Sequence, residues 1–182
     1  MKKILAGIAL AGTLIGLSLP AAAADLPAFP RNEISVGSGL LGYFSGGAPG
    51  TGGAWDVRYA FHAIPLLSLE AGYVGGASEA AFSGATVATM LEGDARFNFL
   101  PGARVKPYVV AGAGWAAFSG TTTHSDNGTV EFPFGGGADV GLTNRWTAGG
   151  RFVYRLTVND HIGDNRVSAD NWQLLGRLAA QF

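Results

Sequence analysis

The stretch from Trp172 to Phe182 alternates residue by residue, with Trp172, Leu174, Gly176, Leu178, Ala180 and Phe182 on one face and Gln173, Leu175, Arg177, Ala179 and Gln181 on the other. A period of two with aromatics at both ends describes a strand with one apolar face and one wetter face. Its length is near that of a tilted strand crossing a membrane, about 9–11 residues. Alternation fixes that the two faces differ but leaves open which of them meets lipid.

Seven earlier segments repeat the pattern, separated by turn signals. They run at about Glu33 to Phe44, Ala54 to Ile64, Leu66 to Gly75, Val87 to Phe99, Pro107 to Ser119, Phe132 to Leu142 and Trp146 to Val158. The clearest sets Trp55, Val57, Tyr59 and Phe61 against Asp56, Arg58, Ala60 and His62. A helix would scatter these aromatics around its circumference, whereas a strand gathers them on one side. In the fifth segment the alternation is weak, and Tyr108, Val110 and Phe118 are read as the outer face with Trp115 on the inner one.

The fourth segment opposes Leu91, Gly93, Ala95, Phe97 and Phe99 to Glu92, Asp94, Arg96 and Asn98. An apolar core would pay heavily for such groups unless they were paired, so they require a polar interior or open water. Across all segments the face opposite the apolar one collects Glu33, Asp56, Glu70, Glu92, Asp94 and Asp139 together with Arg58, Arg96, Arg151, Arg155 and Arg177. Both signs are present in nearly equal number. Eight strands enclose an interior just wide enough for side chains to fill, so these charges are expected to interlock as a structural network in a plugged lumen and to make a poor pore.

The amino terminus says where such a barrel goes. Lys2 and Lys3 precede an uncharged apolar run from Ile4 to Leu19, and Ala22, Ala23 and Ala24 before Asp25 read as a small-residue cleavage site. The expected organisation is a signal peptide over residues 1–24, a periplasmic lead-in over 25–32 and a barrel domain over 33–182. Removing the two lysines takes the formal net charge from −1 to −3, which argues against nucleic acid as a partner. With no cysteine, the exported chain uses no disulfide and no thiolate chemistry.

The chain has 29 glycines, only 14% charged residues and a mean hydropathy of +0.24, an unusual surface for a soluble exported domain. After the amino-terminal run no segment is long enough for a spanning helix, yet a closed barrel satisfies every backbone N–H and C=O between neighbouring strands. Connections after odd segments (about 45–53, 76–86, 120–131 and 159–168) are read as long and those after even segments as short. This is the asymmetry of an outer-membrane barrel with both termini in the periplasm. Phe44, Trp55, Tyr73, Phe99, Tyr108, Phe118, Trp146, Trp172 and Phe182 are read as girdles at the two interfaces. The fold class is therefore all-β, an eight-stranded antiparallel up-and-down transmembrane barrel in the outer membrane.

The run from Arg96 to Trp115, Arg-Phe-Asn-Phe-Leu-Pro-Gly-Ala-Arg-Val-Lys-Pro-Tyr-Val-Val-Ala-Gly-Ala-Gly-Trp, resembles the centre of the small outer-membrane β-barrel family related to the OmpA transmembrane domain and OmpX. There an aromatic-Asn-aromatic strand end is followed by a short turn, Pro-Tyr and a glycine-alternating strand. Phe182 resembles the carboxy-terminal signal read by the barrel assembly machinery, which the resemblance implies as a partner during biogenesis. Unlike OmpA, this chain is expected to end at the barrel, with no peptidoglycan-binding domain.

Chemistry-bearing motifs are few. His124 and His161, with Asp126, Asp160 and Asp164, fall in the third and fourth long connections, where polar residues are ordinarily solvated, and no metal ligand is assigned. His124-Ser125-Asp126 supplies the residue types of a lipid A hydrolase, but consecutive residues of an extended chain point apart, and no catalytic residue is assigned. Gly112-Ala-Gly114 and Gly135-Gly-Gly137 open no helix and bind no phosphate, so no cofactor is expected.

The reading is a non-enzymatic barrel of structural or surface-interaction type. Its partners are outer-membrane lipid and lipopolysaccharide, and the ligand of its external loops is open. A narrow channel for ions or small apolar solutes is the alternative. A lipid A-modifying hydrolase and a soluble periplasmic barrel stand behind it.

Overall fold

In the computed structural model the described residues are 30–43, 51–80, 84–120, 128–158 and 170–182. They form eight strands: β1 (Asn32–Tyr43), β2 (Thr51–Ile64), β3 (Leu67–Ala80), β4 (Gly84–Asn98), β5 (Val105–Gly120), β6 (Gly128–Gly141), β7 (Trp146–Val158) and β8 (Asn171–Gln181). Each pairs antiparallel with the next, and β8 returns to β1, closing the sheet. Closure is completed by the backbone pair Asn32 N–H to Phe182 O (3.0 Å) and Phe182 N–H to Asn32 O (2.9 Å). Among the described residues there is no helix. The amino-terminal run and most of the lead-in lie outside the described residues, as do His124, His161 and the acids beside them.

Alternation becomes inside and outside. Leu91, Leu69, Val36, Leu174 and Phe152 point away from the barrel and are about half exposed, while the polar residues between them face the interior and are buried. A domain folding in water would do the reverse, because apolar area is what water expels. Such an exterior is stable where the surrounding solvent is itself apolar.

One strand is turned over relative to the sequence reading. In β5, Tyr108 and Val110 face the lumen and Trp115 faces outward, so Tyr108 belongs to no girdle. Both faces of this strand are apolar, and hydrophobicity could not choose between them. What decides is a partner on the next strand: the Arg96 guanidinium lies 3.7 Å from the Tyr108 ring centroid, a buried cation–π contact. Phe44 and the Phe118 side chain lie outside what is described.

The strands also reach further than their side-chain patterns announce. The ladder of β3 and β4 continues to Ala80 opposite Gly84, so most of the 76–86 connection is sheet, and Glu131 lies within β6 rather than in a loop. Backbone pairing needs no apolar side chain, so the small residues Gly75 to Ser78 continue the ladder. The long-loop asymmetry is correspondingly reduced. The connection at 81–83 is shorter than the turn at 99–104, and the longest one spans 159–170.

Three of the four tryptophans lie on the half of the outer surface away from the termini, and each covers a glycine of the neighbouring strand. Trp172 lies over Gly42, Trp55 over Gly75 and Trp115 over Gly128, and a Cβ at any of these glycines would run into the indole. The ring shields a backbone with no side chain of its own, the arrangement that stabilises glycine within strands. Trp146, Phe99 and Phe182 mark the opposite end.

Candidate functional site

The interior divides into two parts. Towards the end away from the termini, Leu41, Ala54, Val74, Ala88, Met90, Ala116 and Leu175 pack into buried apolar clusters, with Tyr43 against both. The remainder is charged apart from a small cluster of Tyr108, Val110 and Val153. The eleven residues singled out in the sequence (Glu33, Asp56, Arg58, Glu70, Glu92, Asp94, Arg96, Asp139, Arg151, Arg155 and Arg177) all point inward and are at most 7% exposed.

They form one connected chain. At the end of the termini, Glu33 accepts from Arg177 Nη2 (2.6 Å) and from Gln181 Nε2 (2.8 Å). Arg177 Nη1 reaches Asp139 Oδ2 at 3.3 Å, and that oxygen also takes Arg96 Nη2 at 2.6 Å. Arg96 continues to Glu70 (3.4 Å), whose other oxygen binds Arg151. Asp94 Oδ2 joins Arg151 Nη2 (2.8 Å) to Arg58 Nη1 (2.7 Å). Arg58 Nε binds Asp56 (2.7 Å), its Nη2 binds Glu92, and Glu92 in turn binds Arg155 Nε. Acid and base alternate along nearly the whole length of the barrel.

The alternation follows from register. Glu70 lies across from Asp94 on β4, and Gly72 across from both Arg58 and Glu92. Gly72 has no side chain, which leaves the Arg58 guanidinium room to cross to β4; a Cβ at Gly72 would meet it at 2.7 Å. Planar guanidinium groups with five fixed donors are suited to bridging several carboxylates at once.

Further lumen residues complete the network, and Glu131 among them was not singled out in the sequence. Glu131 is fully buried, 3.9 Å from Arg155 Nε. Its signal was available: Thr129, Glu131 and Pro133 alternate with Val130, Phe132 and Phe134. Gln173 and Asn171 complete the Arg155 shell at 2.9 and 3.4 Å, and Asn98 holds Arg96 Nε at 2.8 Å. Tyr108, misplaced by its apolar neighbours, accepts from Arg177 Nη1 at 3.4 Å.

One group has the residue types of a nucleophile, a base and an acid. His62 Nδ1 lies 2.6 Å from Ser68 Oγ, and His62 Nε2 lies 3.7 Å from Glu33. Ser68 is fully buried and its Oγ also accepts from Asn98 Nδ2 at 3.2 Å, so no substrate carbonyl can be brought against it. Glu33 is committed to Arg177. The group is part of the packing at the lumen mouth.

A closed eight-stranded antiparallel barrel, apolar outside and ion-paired within, defines an integral protein of an outer membrane. The family model for the outer membrane protein beta-barrel domain matches residues 9–175, and the chain belongs to that family. Among solved structures it is similar to Neisserial surface protein A, with a TM-score of 0.68 and 17% identity over 83% of this chain and 97% of that one. OprG from Pseudomonas aeruginosa gives a TM-score of 0.61 and 9% identity over 87% and 99%. The attachment invasion locus protein Ail of Yersinia pestis gives 0.54 and 12% over 84% and 97%. A search of curated proteins found no match. The protein resides in the cell outer membrane.

Proposed function

We propose that this protein is a non-conducting outer-membrane barrel whose role is structural and surface-interacting, with the lumen network serving to lock the barrel shut. The observation that carries this reading is that the eleven charged side chains of the lumen network are at most 7% exposed. A water-filled passage would leave its lining residues wet, as in wide porins, whereas interlocked ion pairs fill an eight-stranded interior. Residues 1–24 act as the export signal, 25–32 as a periplasmic lead-in, and Phe182 as the mark read during assembly.

The interaction role falls to the connections at the end away from the termini. They carry Asp126, Asp160 and Asp164 with Arg166 as their lone Lys or Arg. Ail has been crystallised with the heparin analogue sucrose octasulfate. The acidic connections of this chain do not fit a polysulfated ligand of that kind and fit a neutral or cationic partner better.

Single-channel recording of the refolded protein in planar bilayers is the test. An electrically silent barrel is the expected result; stable, voltage-independent openings carried by the folded protein would refute it and favour the channel reading.

A further inference from the structure

The charges of the lumen do not balance. Among the described residues seven carboxyls are buried there, those of Glu33, Asp56, Glu70, Glu92, Asp94, Glu131 and Asp139, against the five guanidinium groups of Arg58, Arg96, Arg151, Arg155 and Arg177. His62 and Lys106 stand near the mouth that carries the termini, the end away from Glu131. An ion without a counter-ion is costly in such an interior, so a surplus acid takes up a cation or keeps its proton.

The surplus is local to Glu131. It is fully buried, and neither of its carboxyl oxygens accepts a hydrogen bond from any described donor. Arg155 Nε lies 3.9 Å away, too far to donate, and the donors of Arg155 go elsewhere: Nε to Glu92, Nη1 to Asn171 at 3.4 Å and Nη2 to Gln173 at 2.9 Å.

Register sets a second acid beside it. Glu92 on β4, Gly114 on β5 and Glu131 on β6 lie in one row, with Gly114 paired to both acids. Gly114 has no side chain, and the acids lean over it from either side. A Cβ there would lie 3.1 Å from Glu131 Oε1 and 3.1 Å from Glu92 Cγ. The two carboxyls are within side-chain hydrogen-bonding reach of each other. Two carboxylates present only lone pairs to one another, whereas one proton between them makes a hydrogen bond. Glu131 is also faced by Arg155 from β7, Asp94 from β4 and Tyr43 from β1, while Arg58 from β2 reaches the Glu92 carboxyl. Both cations are bound to other carboxyls, Arg155 to Glu92 and Arg58 to Asp56, Glu92 and Asp94.

We propose that Glu131 carries a proton that it shares with Glu92 across Gly114, making this pair a pH-sensitive fastening of the lumen at the end away from the termini. The Glu131 O–H donates to a Glu92 oxygen, and Glu92 remains the counter-ion of Arg58 and Arg155. When the proton leaves, two carboxylates face each other over the glycine, and that end of the network loosens. A metal cation fits the place less well, because the Arg155 guanidinium beside Glu131 would repel it.

The test compares the refolded parent with Glu131→Gln, a neutral side chain of nearly the same shape. In the unfolded chain a glutamic acid loses its proton at about pH 4.3, whereas the folded barrel retains it, so the parent releases one proton on unfolding between about pH 5 and 7. Over that range its unfolding equilibrium constant, relative to that of Glu131→Gln, should rise about tenfold per pH unit, the parent losing stability as the pH rises. A ratio that stays flat means that Glu131 is ionised in the folded barrel and overturns the proposal. Infrared absorption at neutral pH separates a shared proton from one kept by burial alone. A protonated-carboxyl C=O band is expected in the parent, absent from Glu131→Gln, and absent also from Glu92→Gln, where Glu131 ionises to pair with Arg155. No band in the parent, or a band that survives in either folded variant, overturns the assignment. Should Glu92→Gln not fold, the parent band still decides: hydrogen bonding to Glu92 must lower its frequency below that of an unbonded carboxylic acid, and a band at the unbonded position overturns the sharing.

Discussion

Arg58→Met tests the lumen network where it is most heavily committed. Arg58 binds Asp56 at 2.7 Å, Asp94 at 2.7 Å, and Glu92, and all four side chains are nearly inaccessible. Methionine fills similar volume without charge, so what is lost is the pairing and not the packing. Removing one partner of a buried pair costs about 3–5 kcal/mol, because the other charge stays behind in a poor solvent. The three carboxylates do not suffer equally. Asp94 keeps Arg151 at 2.8 Å and Glu92 keeps Arg155, whereas Asp56 has no other ion-pair partner among the described residues. The cost should therefore concentrate on Asp56, and Asp56→Asn introduced with Arg58→Met should recover roughly 1–3 kcal/mol of it. Asp94→Asn in the same background should recover less, since it also deprives Arg151 of a partner. Equilibrium unfolding in denaturant, with the protein in lipid vesicles and followed by tryptophan fluorescence, measures each term. If Arg58→Met costs less than about 1 kcal/mol, or if Asp94→Asn rescues as well as Asp56→Asn, the network is not the fastening described above.

Phe152→Arg places a charge on the outer face of β7 and should cost on the order of 2–4 kcal/mol near the bilayer midplane in the same unfolding assay; unchanged stability would contradict the assignment of faces. Gly75→Ala forces the Trp55 ring from its seat and should destabilise by about 1–3 kcal/mol with a change in tryptophan emission. Gly53→Ala, where an added Cβ meets nothing within 4 Å, should be neutral or stabilise by up to about 1 kcal/mol. Phe182→Ala keeps the backbone pair with Asn32 while removing a half-exposed ring, so refolded stability should change little; the amount of heat-modifiable barrel recovered from cells should fall if the ring is an assembly mark.

The barrel was legible because alternation is a one-dimensional trace of a two-sided wall. In β2 the outward aromatics and Val57 alternate with Asp56, Arg58 and His62, and in β4 Leu91 to Phe97 alternate with Glu92, Asp94, Arg96 and Asn98, groups that lipid would reject, and the faces follow. In β5 the rule had no contrast to work with, since Val109, Ala111 and Ala113 are no more apolar than Tyr108 and Val110. Tyrosine has an apolar body and a polar tip, and only the placement of Arg96 across the ladder settles where it goes. That all eleven charges turn inward could be read from parity. Which arginine meets which acid could not, because Arg177 and Glu33 are 144 positions apart and meet only through the register of the closing strands. Strand ends were misjudged for a related reason: Gly, Ala and Ser at 75–78 advertise a loop, but hydrogen bonds to β4 hold them as sheet.

The tryptophans seated over glycines bear on a kind of mistake that parity does not prevent. Sliding one strand by a single residue would turn every charge into lipid, so the bilayer itself forbids odd slips. A slip of two restores inside and outside and passes that test. At the seam where the last strand meets the first, a two-residue slip would carry Trp172 from Gly42 to Leu40, replacing a vacant notch with a branched side chain. The same holds for Trp55 if Gly75 gives way to Tyr73. Bulk matched to absence thus acts as a key with two-residue teeth, giving the barrel a fixed circumference as well as a fixed outside.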